Sequence, residues 1–475
     1  MKEKNKINIE WLTHTTGDPF ADAGGWVIKY LWEQPYLRDK SILELIEYVA
    51  KIYVENWGGK INAFFLNSTI TQPAFKGERK ISETLQYYKS LIEETDDGYE
   101  GYCRISGINT KLFSAGRDNH ILSGSGTFIN FHHAFQSGLY LSKEVLLRMF
   151  FVPLGLIQLS DKIALIHSNH EKVTQYFVFR NCRLNLHAIA SGLTEGVLRS
   201  EFNNPANALF GFVDECINEL CILLYNDETD SFNKEDVALT LYHFTNFGAG
   251  PEVIIYTLPA VVFKFYAFCH NPKWKKEWTK FIRFYYRNSK FKDAVFNEST
   301  EIWEGKKENA DFDNYRIWRN VVLEKLMKNE SILANILRWN IKHSFPFKIV
   351  ETYQTIIRNM EKRTVEKIKQ FAEFITSNPD TDFIKKCIKR LNGAKRSYEL
   401  RQFLLKLNTD NYQKGSASPL ITVEEYVDYL FPDGGNWSEI RDVLLIAIYQ
   451  KIHEIHLSVD IEPVEEENET ITENE

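Results

Sequence analysis

The sequence predicts a mostly helical α+β protein, with a mixed α/β N-terminal body followed by a C-terminal helical bundle. Three observations carry this reading. Short β-like runs mix with helix-period stretches up to about residue 295, and beyond it the apolar period stays close to 3.6. The 475 residues, 44% of them hydrophobic and 25% charged, suffice for more than one core. The expected divisions are a body over 1–295, a bundle over 296–458 and an acidic tail over 459–475 with too little apolar content to fold alone.

Within the body, Asp18 followed by Pro19 fits a helix N-cap and first position, although Asp18 and Asp22, four apart, would also share a helix face. Asp39 is placed to cap a helix in which Ile42, Leu45, Ile46, Val49, Ile52 and Tyr53 recur at helical spacing, ended by Gly58-Gly59. A second helix covers Glu78 to Glu94 and stops at Asp96-Asp97-Gly98. The glycine-rich stretch from Gly101 to Gly138 reads as turns and short strands. Strands are predicted at Lys162–His167 and Glu252–Thr257, and helices at His170–Ala190, Ala206–Tyr225, Lys234–Phe244 and Pro259–His270.

Farther on, Asn297–Asn314 reads as a polar linker or surface loop. Helical periods follow in Ile317–Ile341, Ile349–Ile375, Phe383–Leu407, where Gly393 can break the helix, and Trp437–Leu457. The apolar run from Val253 to Phe263 is interrupted by Thr257 and Pro259 and falls short of a membrane span, so no membrane partner is expected. The first ten residues are polar and charged, unlike a secretory signal, and a cytosolic location is expected. The six cysteines (Cys103, Cys182, Cys216, Cys221, Cys269 and Cys387) include no CxxC pair and are expected to be reduced core thiols.

The net charge of −7 is set by the tail, where Val459–Glu475 holds eight acids and no base, leaving +1 on the other 458 residues. Two basic stretches stand out on this near-neutral body. Lys264–Lys292 has nine Lys/Arg against Glu277 alone, and Lys385–Lys406 has eight against Glu399 alone. In the first, Trp274, Trp278, Phe281 and Tyr285 recur at i, i+4, i+7 and i+11, so the rings are expected mainly in the core and the cations mainly outward. Cations so displayed neutralise phosphates; a solvated helix face is the plain alternative.

No phosphate loop, HExxH, GxSxG or HD dipeptide is present. His132-His133 and His167 with His170 are the histidine clusters that a metal-dependent enzyme would use, and only with further converging ligands.

Several segments together resemble the large subunit of type I CRISPR surveillance complexes, specifically the subtype I-B family with paired CxxC motifs. They are Thr16-Gly17-Asp18-Pro19-Phe20-Ala21-Asp22-Ala23-Gly24-Gly25, Asn67-Ser68 with Thr71-Gln72-Pro73, Cys103-Arg104-Ile105-Ser106-Gly107, and Asn130-Phe131-His132. Gly138-Leu139, Pro153-Leu154-Gly155 and Thr245-Asn246-Phe247-Gly248-Ala249-Gly250-Pro251 continue the order, over roughly Trp11 to Phe265. At the CxxC positions this chain has Cys103-Arg104-Ile105-Ser106 and Ser142-Lys143-Glu144-Val145, one thiol of four. No zinc and no other cofactor is therefore expected.

The resemblance implies a subunit that cuts nothing. Such a subunit sits near the 5′ end of a CRISPR guide RNA, reads the protospacer-adjacent motif (PAM) in target double-stranded DNA, and helps open the duplex into an R-loop. Its partners would be the backbone, guide-processing and small subunits of Cascade, and a helicase-nuclease or a transposition adaptor. Candidates for reading bases are Asn67, Thr71, Gln72, Lys76, Arg117, Asn119, Ser125, Asn130 and Gln136; each could instead be a turn residue bonding its own backbone. Candidates for backbone contact are Lys273, Lys275, Lys276, Lys280, Arg283 and Arg287, and Lys385, Lys386, Lys389, Arg390, Lys395 and Arg396. Starts at Met327 or Met360 would yield a separate small subunit of 149 or 116 residues. A metal-dependent nucleic-acid enzyme and a protein-only scaffold are the alternatives.

Overall fold

The computed structural model describes residues 7–123, 138–220, 225–226, 231–232, 236–245, 252–288, 293–305, 309–310, 317–431 and 436–457. The chain is α+β and mostly helical, and forms two units: residues 1–222, 237–260 and 316–318, and residues 223–236, 261–315 and 319–475.

In the first unit, α1 (Glu10–Thr13) leads into α2 (Pro19–Glu33). Asp18 caps α2, its Oδ1 accepting from Phe20 N at 3.0 Å and Ala21 N at 2.7 Å, with Pro19 at the first position. Phe20 to Ile28 are buried without interruption, so α2 runs through the core and its neighbours must close on its backbone. Gly24 permits this, since a Cβ there would lie 2.2 Å from the carbonyl oxygen of Arg148.

The cap of α3 (Ile42–Asn56) is Ser41 rather than Asp39. Ser41 Oγ accepts from Glu44 N and Glu44 Oε2 accepts from Ser41 N at 2.8 Å, a reciprocal box that Asp39 lies too early to form. Gly58-Gly59 opens a 3₁₀ turn, Gly58–Ala63. Next come α4 (Glu78–Glu93), the antiparallel meander β1 (Tyr99–Tyr102), β2 (Asn109–Ala115) and β3 (Leu139–Ser142), and α5 (Lys143–Phe151), buried along its whole length.

Then follow β4 (Ile157–Leu159), β5 (Lys162–Ser168), α6 (Glu171–Ala190) and α7 (Pro205–Glu219). The helix expected to reach Tyr225 stops at Glu219, and Tyr225–Asn226 (β6) instead pairs with Ser231–Phe232 (β7). The helix expected over Lys234–Phe244 is overturned: Leu239–Thr245 is a strand, β8, between β5 and β9 (Glu252–Leu258) in the antiparallel order β4-β5-β8-β9. Leu239 and Leu241 are buried while Thr240 and Tyr242 are half-buried, the period-2 pattern of a sheet. The buried amides of Asn181 and Asn185 on α6 bond the carbonyls of Leu154, Gly155 and Leu156, locking α6 to the turn after α5.

The second unit holds α8 (Ala260–Cys269), α9 (Lys275–Phe284) and β10 (Tyr286–Arg287). The expected linker at 297–314 contains a small antiparallel sheet instead, β11 (Val295–Asn297), β12 (Ile302–Glu304) and β13 (Asn309–Ala310). Phe296 and Trp303 pair across it with ring centroids 5.4 Å apart, two aromatics that a polar average conceals.

After β14 (Arg319–Asn320), which pairs with β10, come α10 (Val321–Met327), α11 (Leu333–Asn340) and α12 (Phe347–Thr352), which continues into a π turn, Tyr353–Ile357. The bundle is completed by α13 (Lys362–Thr376), α14 (Thr381–Gly393), α15 (Ser397–Gln413), α16 (Val423–Glu425) and α17 (Trp437–Glu454). Val443 to Gln450 are all buried, and α11 to α15 pack around α17 as the central helix. Gly393 ends α14 as expected, with Ala394 extended. No described helix is long and apolar enough to cross a membrane.

Candidate nucleic-acid interface

The basic-aromatic stretch folds as α9 with the expected polarity. Trp274, Trp278, Phe281 and Tyr285 are buried, and Lys273, Lys275 and Lys276 are exposed. Burial removes those rings from stacking on bases and leaves lysines as the exposed chemistry of this helix. Arg283 and Arg287 are committed within the fold. Arg283 pairs with Glu301, while Arg287 Nη1 donates to Phe284 O at 2.7 Å and Tyr286 O at 2.8 Å, with its guanidinium 4.9 Å from the Trp303 ring centroid. Lys280 is half-buried, 6.0 Å from the Trp339 ring centroid.

The second basic stretch differs. Ile384, Cys387, Ile388 and Leu391 face the core, and Lys385, Lys386, Lys389 and Arg390 occupy the opposite, exposed side of α14. Lys395 and Arg396, also exposed, stand at the turn into α15. None of these six makes an ion pair among the described residues. Elsewhere in the bundle Lys367 pairs with Glu425, Lys369 with Glu351, Arg358 with Glu439 and Arg441 with Asp442. A cluster of exposed, unpaired cations is what a polyanion needs.

In the first unit, Leu66 N donates to Arg117 O at 2.7 Å, which sets the Asn67 loop beside the 116–119 turn. A cavity of about 90 Å³ opens there, lined in part by Asn67, Ser68, Thr69, Thr84, Tyr87 and Asp118. Asn67 is exposed at φ 63°, and Arg117 is half-buried. The carboxylate of Asp118 disfavours phosphate at this rim; the Thr69 and Thr84 hydroxyls bond each other at 3.0 Å and Tyr87 Oη accepts from Asn119, which leaves the Asn67 amide as the group suited to a base edge. Thr71 is half-buried and its hydroxyl bonds Ser68; Gln72 is half-buried and Lys76 exposed.

Asn119 is not available as a base reader. It is 5% exposed, its Oδ1 accepts from Gly116 N at 2.9 Å, and its Nδ2 donates to Tyr87 Oη at 2.8 Å and Ser114 O at 3.0 Å. Ser125, Asn130, Gln136, His132 and His133 lie outside the described residues. Ser68, Thr69 and Asp118 were not anticipated, because only a non-local backbone bond brings them to this cleft.

His120 follows in the same turn, its Nδ1 2.7 Å from Ser123 Oγ. Burial pushes its pKa down to about 4. Between pH 6.5 and 4 the unfolded chain therefore takes up a proton at this site that the folded chain refuses, so the stability present above pH 6.5 is lost as pH falls. Comparing urea midpoints at pH 7 and pH 4.5, His120→Asn is expected to remove part of the acid destabilisation, on the order of 2 to 3 kcal/mol. An unchanged pH dependence would contradict this placement.

The Thr16–Gly25 segment is architectural. Asp22 accepts from Thr16 N, Thr16 Oγ and Gly17 N at 2.7 to 2.9 Å and faces Arg148 Nη1 at 3.5 Å. Arg148, fully buried, also donates to Trp11 O. Burial lowers the Arg148 pKa to about 10, against the opposing pull of Asp22, Glu144 and Asp18.

The two degenerate CxxC positions come together. Cys103 Sγ accepts from Ser106 N at 3.5 Å and Ser142 N at 3.3 Å, and Ser142 Oγ caps α5 at Val145 N. Burial would raise the Cys103 pKa, but these donors outweigh it and bring it below the ordinary thiol value. His167 lies on β5 and His170 just before α6. Among the described residues no group of three or more His, Cys, Asp or Glu is arranged to hold a metal.

A polar groove of about 790 Å³, also unanticipated, is lined by Gln158, Ser160, Arg199, Ser200 and Asn203 together with Lys60 and residues 192–197. Its ammonium, Lys60 Nζ, is spent on the carbonyls of Thr194, Glu195 and Val197, which leaves Arg199 as the cation presented to solvent.

No curated protein and no solved structure matches the chain. Residues 338–475, which include the α14–α15 face, match the family model described as the DevT C-terminal domain.

Proposed function

We propose that this chain is the non-catalytic large subunit of a type I CRISPR RNA-guided surveillance complex, of subtype I-B by its sequence motifs. The observation that carries the reading is the DevT C-terminal match over residues 338–475, DevT being associated with large subunits of Cascade-like complexes. The unpaired cations of α14 and α15 fall inside that match and supply a phosphate-binding surface. In this reading the Asn67–Arg117 cleft meets the adjacent motif in duplex DNA, and Lys273, Lys275 and Lys276 join α14 and α15 in holding nucleic-acid backbone. Base pairing with the guide RNA reads the remaining sequence. A helicase-nuclease or a transposition adaptor docks afterwards.

Of the two internal starts, Met327 is favoured for a separate small subunit. It retains α11, whose Asn340 Nδ2 donates to Ile446 O of α17 at 2.9 Å, whereas a start at Met360 discards α11 and α12. The deciding experiment is co-purification of the tagged chain with the products of neighbouring genes, followed by sequencing of the bound RNA. Uniform repeat-derived guides are expected; intact protein without guides would overturn the proposal.

A further inference from the structure

The α14–α15 face holds few acids against its cations, and the same chain holds a surplus of acids elsewhere. Asp382, Glu399 and Asp410 are the carboxylates on α14 and α15. Glu399 is already engaged, its Oε2 accepting from Lys395 N at 2.6 Å and Arg396 N at 3.0 Å. Those backbone donors lower its pKa. The segment Val459–Glu475 carries eight acids and no base. We infer that segment 459–475 docks on the exposed cations of α14 and α15, and in doing so competes with nucleic acid for them.

Reach permits this. Arg441 Nη1, near the start of α17, donates to Ala394 O at 2.8 Å at the α14–α15 turn, which ties α17 to the basic face. From Arg441 to the end of α17 the helix advances roughly 20 Å at about 1.5 Å per residue. A random-coil chain as long as 459–475 has a root-mean-square span of roughly 23 Å, comparable to the distance back to the turn.

Charge also favours this site. Lys385, Lys386, Lys389 and Arg390 lie side by side on one exposed face and have no carboxylate within 4 Å among the described residues, whereas Lys367, Lys369, Arg358 and Arg441 are each paired already. Tethering gives the segment an effective concentration on the order of 1 mM, and a weak electrostatic contact with a Kd of about 0.1 mM is then mostly formed. The expected consequence is that weakly held polyanions are excluded about tenfold, while a strand positioned by many contacts displaces the segment. Competition rests on the nucleic-acid reading above, but docking does not.

Two measurements on the full chain separate these claims. Carbodiimide coupling at low salt, mapped in the monomer by mass spectrometry, is expected to join tail carboxylates to Lys385, Lys386, Lys389 or Lys395. Coupling to Lys273, Lys275 and Lys276 instead, or to no lysine, overturns docking. The second uses a full-length variant with all eight acids neutralised, Asp460→Asn and each Glu of the segment to Gln, and a 20-nucleotide single strand. The variant is expected to bind about tenfold more tightly at 50 mM salt, and unchanged affinity overturns competition. If the cross-links map to α14 and neither form binds the strand, docking stands and the nucleic-acid reading fails.

Discussion

Replacing Lys385, Lys386, Lys389 and Arg390 together by Glu is expected to weaken nucleic-acid binding about a thousandfold at 0.1 M salt and to flatten its salt dependence. Each phosphate neutralised releases counterions, so duplex affinity falls with salt at a slope of about −0.9 per contact, and losing four contacts removes about 3.6 from that slope. At 0.1 M that slope is itself a factor of several thousand, and the introduced carboxylates add repulsion. Stability should barely change, because the four side chains are exposed and make no ion pair among the described residues. The check is fluorescence anisotropy over a salt series with the melting temperature as control. An unchanged slope with wild-type melting would show that α14 is only a solvated face. The matching reversal on α9 should be milder, since Arg283 and Arg287 are held by Glu301 and by main-chain carbonyls.

The contrast between α9 and α14 shows how far a sequence can be read. Both helices were legible, because aromatic or aliphatic residues recur at helical spacing with cations between them, and that pattern is local. Which cations remain unpaired was not legible. The partner of Arg283, Glu301, belongs to a segment read as a linker, and its approach depends on the small sheet around Phe296 and Trp303.

The strand β8 was misread for a related reason. Leu239, Leu241, Tyr242 and Phe244 satisfy a helical period almost as well as a strand period, and the bonds that decide between them come from β5, more than seventy residues earlier. The cleft beside Asn67 was half legible. Asn67 and Arg117 stood in loops with the chemistry to read bases, but Asp118 and Ser68 join them through one backbone bond between distant segments. Asn119, chosen on residue type, turned out to be the amide that holds that turn together.

Arg148 was invisible for the opposite reason, since it sits in a helix whose apolar neighbours announce core. Removing it as Arg148→Ala is expected to destabilise the first unit by about 3 to 5 kcal/mol. The loss strands the Asp22 carboxylate in a buried site and leaves the Trp11 carbonyl without its donor. Arg148→Met with Asp22→Asn should recover part of this, because the buried charge is removed from both sides.

Gly24→Ala attacks the same crossing from α2. Its methyl would meet the Arg148 carbonyl oxygen at 2.2 Å, a main-chain atom that moves only if the two helices separate. Overpacking of this kind costs about 1 to 3 kcal/mol, and more where backbone must shift. Urea unfolding of the full chain, followed by tryptophan fluorescence, measures all three variants. If Arg148→Ala unfolded within 1 kcal/mol of the wild type, the Thr16–Gly25 segment would lose its structural explanation, and Asp22 with its ring of donors would have to be reconsidered as part of a binding site.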